Sequence, residues 1–356
     1  VSQGNPPANN LITGSTVGEV YLTATSAGDS NYYPATSAAQ TLTIGGAPGA
    51  VGNGVRLWLR ADVGVLSVTG NVSRWDDQSN SITQTANQAA PAGGASSDII
   101  LNTAGLNYNP VLTFAGVTGK ELQGGVTGSL AFSVSNTMIA VFKDRGSVEG
   151  IVLGNNTGTS GLYINSTNFL TLGGPSLGGS SGYTASYTPS SPAIGIGMYS
   201  GSTNTGALAF INGVLGTDNS ATATTAFNTS FEVGGRYSAN ASRYFKGDIA
   251  EVLYYNRGIS AGELTRTQSY LAIKYGIHLN PTAIPNYLAS DGSTVWGSAS
   301  NTAYTNTVMG IGRDDNSGLN QKQTTSGAGA DMLTLGLGSI TASNASNGAI
   351  FASDRS

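Results

Sequence analysis

The residues able to do chemistry are few, and their spacing excludes more than it offers. The chain holds 19 acids, one histidine and no cysteine among 356 residues. Neither a thiolate nucleophile nor a zinc site of Cys and His ligands can be assembled from that set. Glycan hydrolysis uses two carboxylates facing one cleft, and on a single strand that means acids at i and i+2. No pair of acids here has that spacing. Asp248 and Glu251 are three apart, which on a regular strand puts them on opposite faces. A glycanase that draws its acids from different strands stays open.

The remaining reactive groups read more simply. His278 follows a helix stop, where a donor or cation meets unpaired carbonyls. GGSSG at 178–182 matches a G-x-S-x-G elbow but lacks the preceding strand and following helix, so it reads as loop composition. Asp76 and Asp77 stand with Gln78 and Asn80 in a loop, a set of hard oxygens that suits calcium with its six to eight ligands. The alternative is that one carboxylate closes its own turn while the other is solvated. Asp314, Asp315 and Asn316 form a similar group whose spacing fails the EF-hand pattern and reads as a turn. Among 16 tyrosines, Tyr183 and Tyr187 lie in the loop SSGYTASYTPSS, where flat amphipathic rings are available for stacking on sugar rings. Trp58 and Trp75 sit beside strand patterns and are expected in the core.

Short strands must carry these residues. Hydrophobic residues make up 39% and charged residues only 10%, against about 25% in an average soluble protein, with Gly, Ser, Thr and Asn filling the turns. Between 55 and 279 apolar alternation marks strands near 56–60, 111–114, 132–143, 150–153, 161–164, 193–199, 207–211, 231–233 and 248–255. Asn212-Gly213 between two apolar runs predicts a type I′ hairpin. At 247–279 a strand with one irregularity near Val252 and Leu253 passes into the only helix. Ser260 and Glu263 form its capping box, Leu264, Leu271 and Tyr275 its apolar stripe, and Gly276 its stop. Such regular strands with one late helix predict an all-β chain built on an antiparallel sandwich.

Ordered landmarks sharpen this. RLWLRADVGV, RWDDQSNSITQTANQAAP, NPVLTFAG, MIAVFK, ALAFINGVL, VGGR and the 246–279 segment resemble the laminin-G-like, concanavalin A-like jelly rolls of bacterial surface proteins. The family usually reads WxDQSGN; here Asn80 replaces the glycine after Ser79. EVYLTAT and QTLTI around a turn resemble the last strands of an immunoglobulin-like repeat, and the chain after Pro281 resembles a β-rich module common in type nine secretion substrates. The expected organisation is an immunoglobulin-like end at 1–46, a linker at 47–54, the jelly roll at 55–279 and a further β-rich module from 280 to 356.

The resemblance implies a non-catalytic adhesion module on the cell surface or outside the cell, part of a larger exported adhesin. Its partners would be a surface glycan or extracellular polymer and the export machinery, with calcium at a loop rim. Two alternatives remain: a spacer or passenger without its own ligand, and a polysaccharide-degrading enzyme of the concanavalin A-like class. A net charge of −4 leaves no basic surface for nucleic acid. No apolar run reaches the roughly 18 residues that span a bilayer, and VSQGNPPANN lacks the parts of a signal peptide, so both ends read as cut from a longer precursor.

Overall fold

The structure is a computed structural model; it describes residues 18–22, 25–26, 28, 30–31, 33–36, 40–44, 46–79, 90–91, 99–117, 120–124, 135–147, 149–155, 161–164, 169–172, 184–200, 207–217, 231–235, 243–304, 309–326 and 333–354. They form an all-β antiparallel sandwich with a single α-helix, as the strand pattern predicts. A ten-stranded sheet faces a seven-stranded one. The strand Ser135–Asp144 shows why both sheets stay in register. Met138, Ala140 and Phe142 enter the core between the sheets, while Ile139 and Val141 face the other way and are equally buried. A strand buried on both faces reads as a continuous apolar run, which is the MIAVF of the sequence.

What covers that second face is the helix Ala261–Tyr275. Leu264, Leu271 and Tyr275 pack on Trp58, Val141, Ile194, Leu253 and Tyr255, making a third layer on the ten-stranded sheet. The capping box forms: Glu263 N–H donates to Ser260 Oγ, the Glu263 carboxylate accepts from Ser260 N–H, and Arg257 clamps that carboxylate at 2.7 and 2.9 Å. Gly276 closes the helix at φ 63°. Trp58 and Trp75 are 1% and 0% exposed, Trp75 between the sheets and Trp58 beneath the helix. The Asn212-Gly213 turn has φ 49° and 86°, the type I′ signature, and joins Ala207–Ile211 to Val214–Leu215.

Both flanking segments lean on the helix. Pro48 and Gly49, in the stretch expected to link, are buried against it. Gly49 has φ +62°, and an added Cβ would lie 2.6 Å from the Thr267 nitrogen, so only glycine fits. On the other side, three two-stranded units follow: Asn286–Leu288 with Thr294–Gly297, Gly312–Asp314 with Leu319–Gln321, and Gln323–Thr325 with Thr334–Gly336. Asn107 ties them to the sandwich. Its Nδ2 donates to the Lys274 carbonyl at 3.1 Å, and its Oδ1 accepts from Thr324 Oγ1 and Thr325 N–H at 2.9 Å each. Asn109 Nδ2 adds bonds to the Lys274 carbonyl and to Gln321 Oε1. The helix's last carbonyls are thus met by Asn107 and Asn109, not by His278 as expected; the chain turns away at Gly276 before His278 can return to the helix end.

Before the sandwich, Gly18–Leu22 pairs with Gln40–Ile44 and Thr25–Ser26 with Ala35–Thr36, so the two alternating runs form strands on either side of the turn-rich segment. Among the described residues no helix is long and apolar enough to cross a membrane.

Candidate functional site

Among the described residues, Glu251 stands at the centre of a dense group of ionisable side chains. The central strand Lys246–Tyr255 carries a bulge: Val141 faces Glu251 while Phe142 faces Ile249, leaving Ala250 as the extra residue. Ile249, Val252 and Tyr254 therefore point between the sheets, whereas Ala250, Leu253 and Tyr255 point to the helix. The bulge also corrects the expectation for the two acids. Asp248 bonds Thr113, whose neighbours Leu112 and Phe114 point between the sheets, so Asp248 and Glu251 share the helix-side face.

Sharing a face does not make them a catalytic pair. Glu251 is 0% exposed and accepts from Trp58 Nε1 at 2.6 Å, Tyr275 OH at 2.7 Å, Lys274 Nζ at 2.9 Å and Tyr270 OH at 3.1 Å. Lys274 spends its three donors on Glu251, Asp62 and Tyr270. Arg60 holds Asp62 through two bonds and lies 5.1 Å over the Trp58 ring. Burial alone would raise the Asp62 carboxyl, but the Arg60 and Lys274 charges hold it well below the usual range. Burial first, and then the Glu251 charge, pushes the Tyr270 and Tyr275 hydroxyls far up, so both remain donors. No lone pair or surface is left for a substrate. This network fastens helix to sheet. Asp248 is likewise engaged, by Arg145 at 2.6 Å and Thr113 at 2.7 Å.

The loop acids expected to suit calcium are placed separately. Asp76 pairs with Arg74 at 2.7 Å. Asp77 accepts from Trp58 N–H, Ser79 N–H and Ser79 Oγ at 2.7 to 3.0 Å. Burial pushes the Asp77 carboxyl up to about 6 despite those bonds. Asp314 caps the short turn Asp315–Ser317 and Asp315 pairs with Arg313, the turn that the sequence predicts. Among the described residues no three His, Cys, Asp or Glu side chains gather as a metal site.

Tyr187 takes part in a cleft; Tyr183 lies outside the described residues. The cleft, about 720 Å³, opens where the sandwich's two sheets end, between the edge strands Thr184–Ser186 and Val214–Leu215. The segment after the helix closes its third side, since Asn280 N–H donates to the Asn212 carbonyl at 3.0 Å and Ile284 packs on Gly213. Its described walls mix Ser186, Thr188, Asn212, Thr217 and Asn280 with Val214, Leu215 and Pro281, and include no carboxylate, Lys or Arg. Tyr187 is half-buried rather than free in a loop: its ring meets Phe142 edge-on at 5.8 Å and its hydroxyl donates to buried Asp144 at 3.0 Å. Burial, with Asp144 behind it, pushes that hydroxyl up, so it stays a donor locked inward and the ring serves as a fixed wall. His278, which the sequence assigned to the helix end, lines the cleft instead; its Nδ1 is buried without a hydrogen-bond partner, and desolvation lowers its pKa.

Two acids of the seven-stranded sheet escaped sequence reasoning. Glu121 is 0% exposed, both of its oxygens lack partners, and desolvation raises its pKa. Gln123 pairs with Glu232 across neighbouring strands, which places Glu121, Gln123 and Glu232 on one face of the seven-stranded sheet, opposite Leu122 and Val233. The acids come from segments more than a hundred positions apart, so no spacing rule could have found them.

Comparisons with known proteins add the following. Residues 263–356 match a family described as a domain of unknown function (DUF8202), a span that begins within the helix. No curated protein matches the sequence. Among solved structures, Trypanosoma rangeli sialidase in complex with sialic acid overlaps 60% of this chain at 15% identity and a TM-score of 0.43. The overlap covers 32% of that sialidase, so this chain matches about a third of its length. Domain 4 of AbnA, a GH43 extracellular arabinanase from Geobacillus stearothermophilus bound to arabinotriose, overlaps 60% of this chain and 98% of its own at 14% identity and TM-score 0.41. The binding domain of Paraclostridial Mosquitocidal Protein 1 overlaps 60% and 51% at 11% identity and TM-score 0.43. Overlaps this loose transfer neither a site nor an activity.

Proposed function

We propose that this chain is a non-catalytic binding module that takes a neutral glycan in the cleft beside Tyr187. One observation carries the reading. The cleft falls within the roughly 300–1,000 Å³ typical of ligand pockets, and its described walls offer amides, hydroxyls and exposed apolar side chains but no carboxylate, Lys or Arg. That mixture suits a sugar, whose hydroxyls bond and whose C–H faces pack. A charged substrate would find no carboxylate, Lys or Arg among the described walls to neutralise it. In this reading the sandwich is a rigid scaffold for an adhesion module exported to the cell surface, with the export machinery as its other partner; the ordered jelly-roll landmarks of the sequence support this.

A glycan array probed with the full chain tests the proposal. Ser186→Trp, at an exposed wall position, should block the cleft and remove the signals, and Tyr187→Phe should keep them because the ring survives. An array silent for the parent chain would favour the spacer reading. Calcium belongs to the same proposal, at Asp76 and Asp77, and would require Arg74 to release Asp76. A bound ion raises the melting temperature by mass action; identical melting with calcium and with chelator removes it.

The polysaccharide-degrading reading has one favouring observation, two acids, Glu121 and Glu232, on one face of the seven-stranded sheet. Both acids are fully buried, which keeps substrate away in this conformation. Reducing ends released from a polysaccharide panel, and lost in Glu121→Gln, would establish it.

A further inference from the structure

A second cavity, of about 330 Å³, lies beside the helix and is lined, apart from Gly49, by the unit matched by the family of unknown function. The helix, the hairpin Asn286–Leu288 with Thr294–Gly297, and the strand Gly312–Asp314 enclose it. Ile273, Tyr287, Val295, Trp296, Met309 and Ile311 give it mainly apolar walls, with Tyr287 and Trp296 edge-to-face at 5.6 Å.

Its polar groups are unequally satisfied, and that inequality points to a ligand. Arg313 is held by Asp315 through two bonds, and Asp314 accepts from Ser290 N–H at 2.8 Å. Arg266 has no acidic partner among the described residues; its one hydrogen bond runs from Nε to the Gly49 carbonyl at 3.2 Å, leaving the guanidinium's outer nitrogens available. Ser290 is 8% exposed, yet its hydroxyl has no partner. A buried hydroxyl left unmatched has lost its water without gaining a partner, and a guanidinium facing an apolar cavity favours an anion.

We propose that this cavity is a second ligand site, for a compact apolar monocarboxylate whose carboxylate meets Arg266 and Ser290 and whose hydrocarbon body lies against Ile273, Tyr287 and Trp296. The volume admits a single ring with a short chain and excludes an oligosaccharide. The site is distinct from the glycan cleft and does not depend on it.

Calorimetric titration of the full chain with 4-phenylbutyrate and its neutral partner 4-phenylbutanamide tests it. The acid should bind saturably and at least tenfold more tightly than the amide. Arg266→Gln should erase that preference, and Gly310→Val should abolish binding of both. Gly310 lines the cavity, and an added Cβ there meets only Ile273 Cγ2, at 3.9 Å, so the larger side chain grows into empty space. Ala289→Leu fills the same cavity from another wall should Gly310→Val fail to fold. Equal affinity for acid and amide, no saturable binding, or binding undiminished by a folded cavity-filling variant would overturn the proposal.

Discussion

Replacing Glu251 with alanine should unfasten the helix from the sheet. The side chain is fully buried and accepts from Trp58, Tyr270, Lys274 and Tyr275. Removing one partner of a buried ion pair costs about 3–5 kcal/mol, and each orphaned donor adds roughly 1–3 kcal/mol. Lys274 keeps its bonds to Asp62 and Tyr270, which softens the first cost. Added in full for Trp58, Tyr270 and Tyr275 these terms would reach roughly 6–14 kcal/mol, but costs within one hydrogen-bond network are not additive, and the expected loss is about 4–6 kcal/mol, or on the order of 10–20 °C in melting temperature for a domain of this size. Glu251→Gln keeps an acceptor for Trp58 and should lose about half as much. The paired change Glu251→Leu with Lys274→Met removes both charges together and should recover most of the loss, since apolar replacements of buried pairs are often near neutral. Urea unfolding followed by tryptophan fluorescence reads the result directly, because Trp58 lies in the network. A loss below about 1 kcal/mol for Glu251→Ala, or a double variant less stable than the single one, would refute the view that this cluster holds helix to sheet.

Other outcomes follow from the same geometry. The Arg257 bonds, acting against burial, hold the Glu263 carboxyl down near pH 2, and the Ser260 amide adds to this. A depressed folded pKa gives stability that is present above the unfolded value near 4.5 and lost as pH falls through about 2. Discounted for partial exposure, Glu263→Gln should cost about 1–2 kcal/mol at pH 7 and progressively less in acid; an equal cost at pH 7 and pH 2.5 in denaturant titrations would contradict it. Asn107→Ala removes the side chain that joins the helix end to Thr324 and Thr325. Hydrogen exchange should then accelerate at 319–326 while Ser135–Asp144 stays protected. Desolvation lowers the His278 pKa and so favours its uncharged form. Glycan affinity should therefore be flat from pH 6.5 to 8.5, and a change across that range would mean the cleft is charged.

Local grammar made much of this fold legible. Alternation placed the strands, Asn212-Gly213 the hairpin, Ser260 and Glu263 the helix start, and the tryptophans read as core are core. Each of those signals lies within a few residues. What escaped depends on register and long-range contact. The bulge at Ala250 turns Glu251 toward the helix, and a period-two reading cannot locate an inserted residue. Asn107 and Asn109 reach helix carbonyls more than 160 positions away. One signal for the buried network was present: Tyr270, Lys274 and Tyr275 share the helix's buried stripe, and a lysine buried between tyrosines requires an acid opposite. The site was half legible. Tyr187 was singled out for stacking, and it does line the cleft, but its role as an anchored wall and the presence of His278 beside it follow from how two sheet edges and the chain after the helix converge.

The most direct test of the central claim is titration of the full chain with the strongest array glycan, in parallel with Ser186→Trp. The cleft reading predicts saturable binding by the parent chain and at least a tenfold weaker Kd, about 1.4 kcal/mol, in the variant, with both proteins melting alike. Undiminished binding by a folded Ser186→Trp chain would place the ligand elsewhere and contradict the assignment.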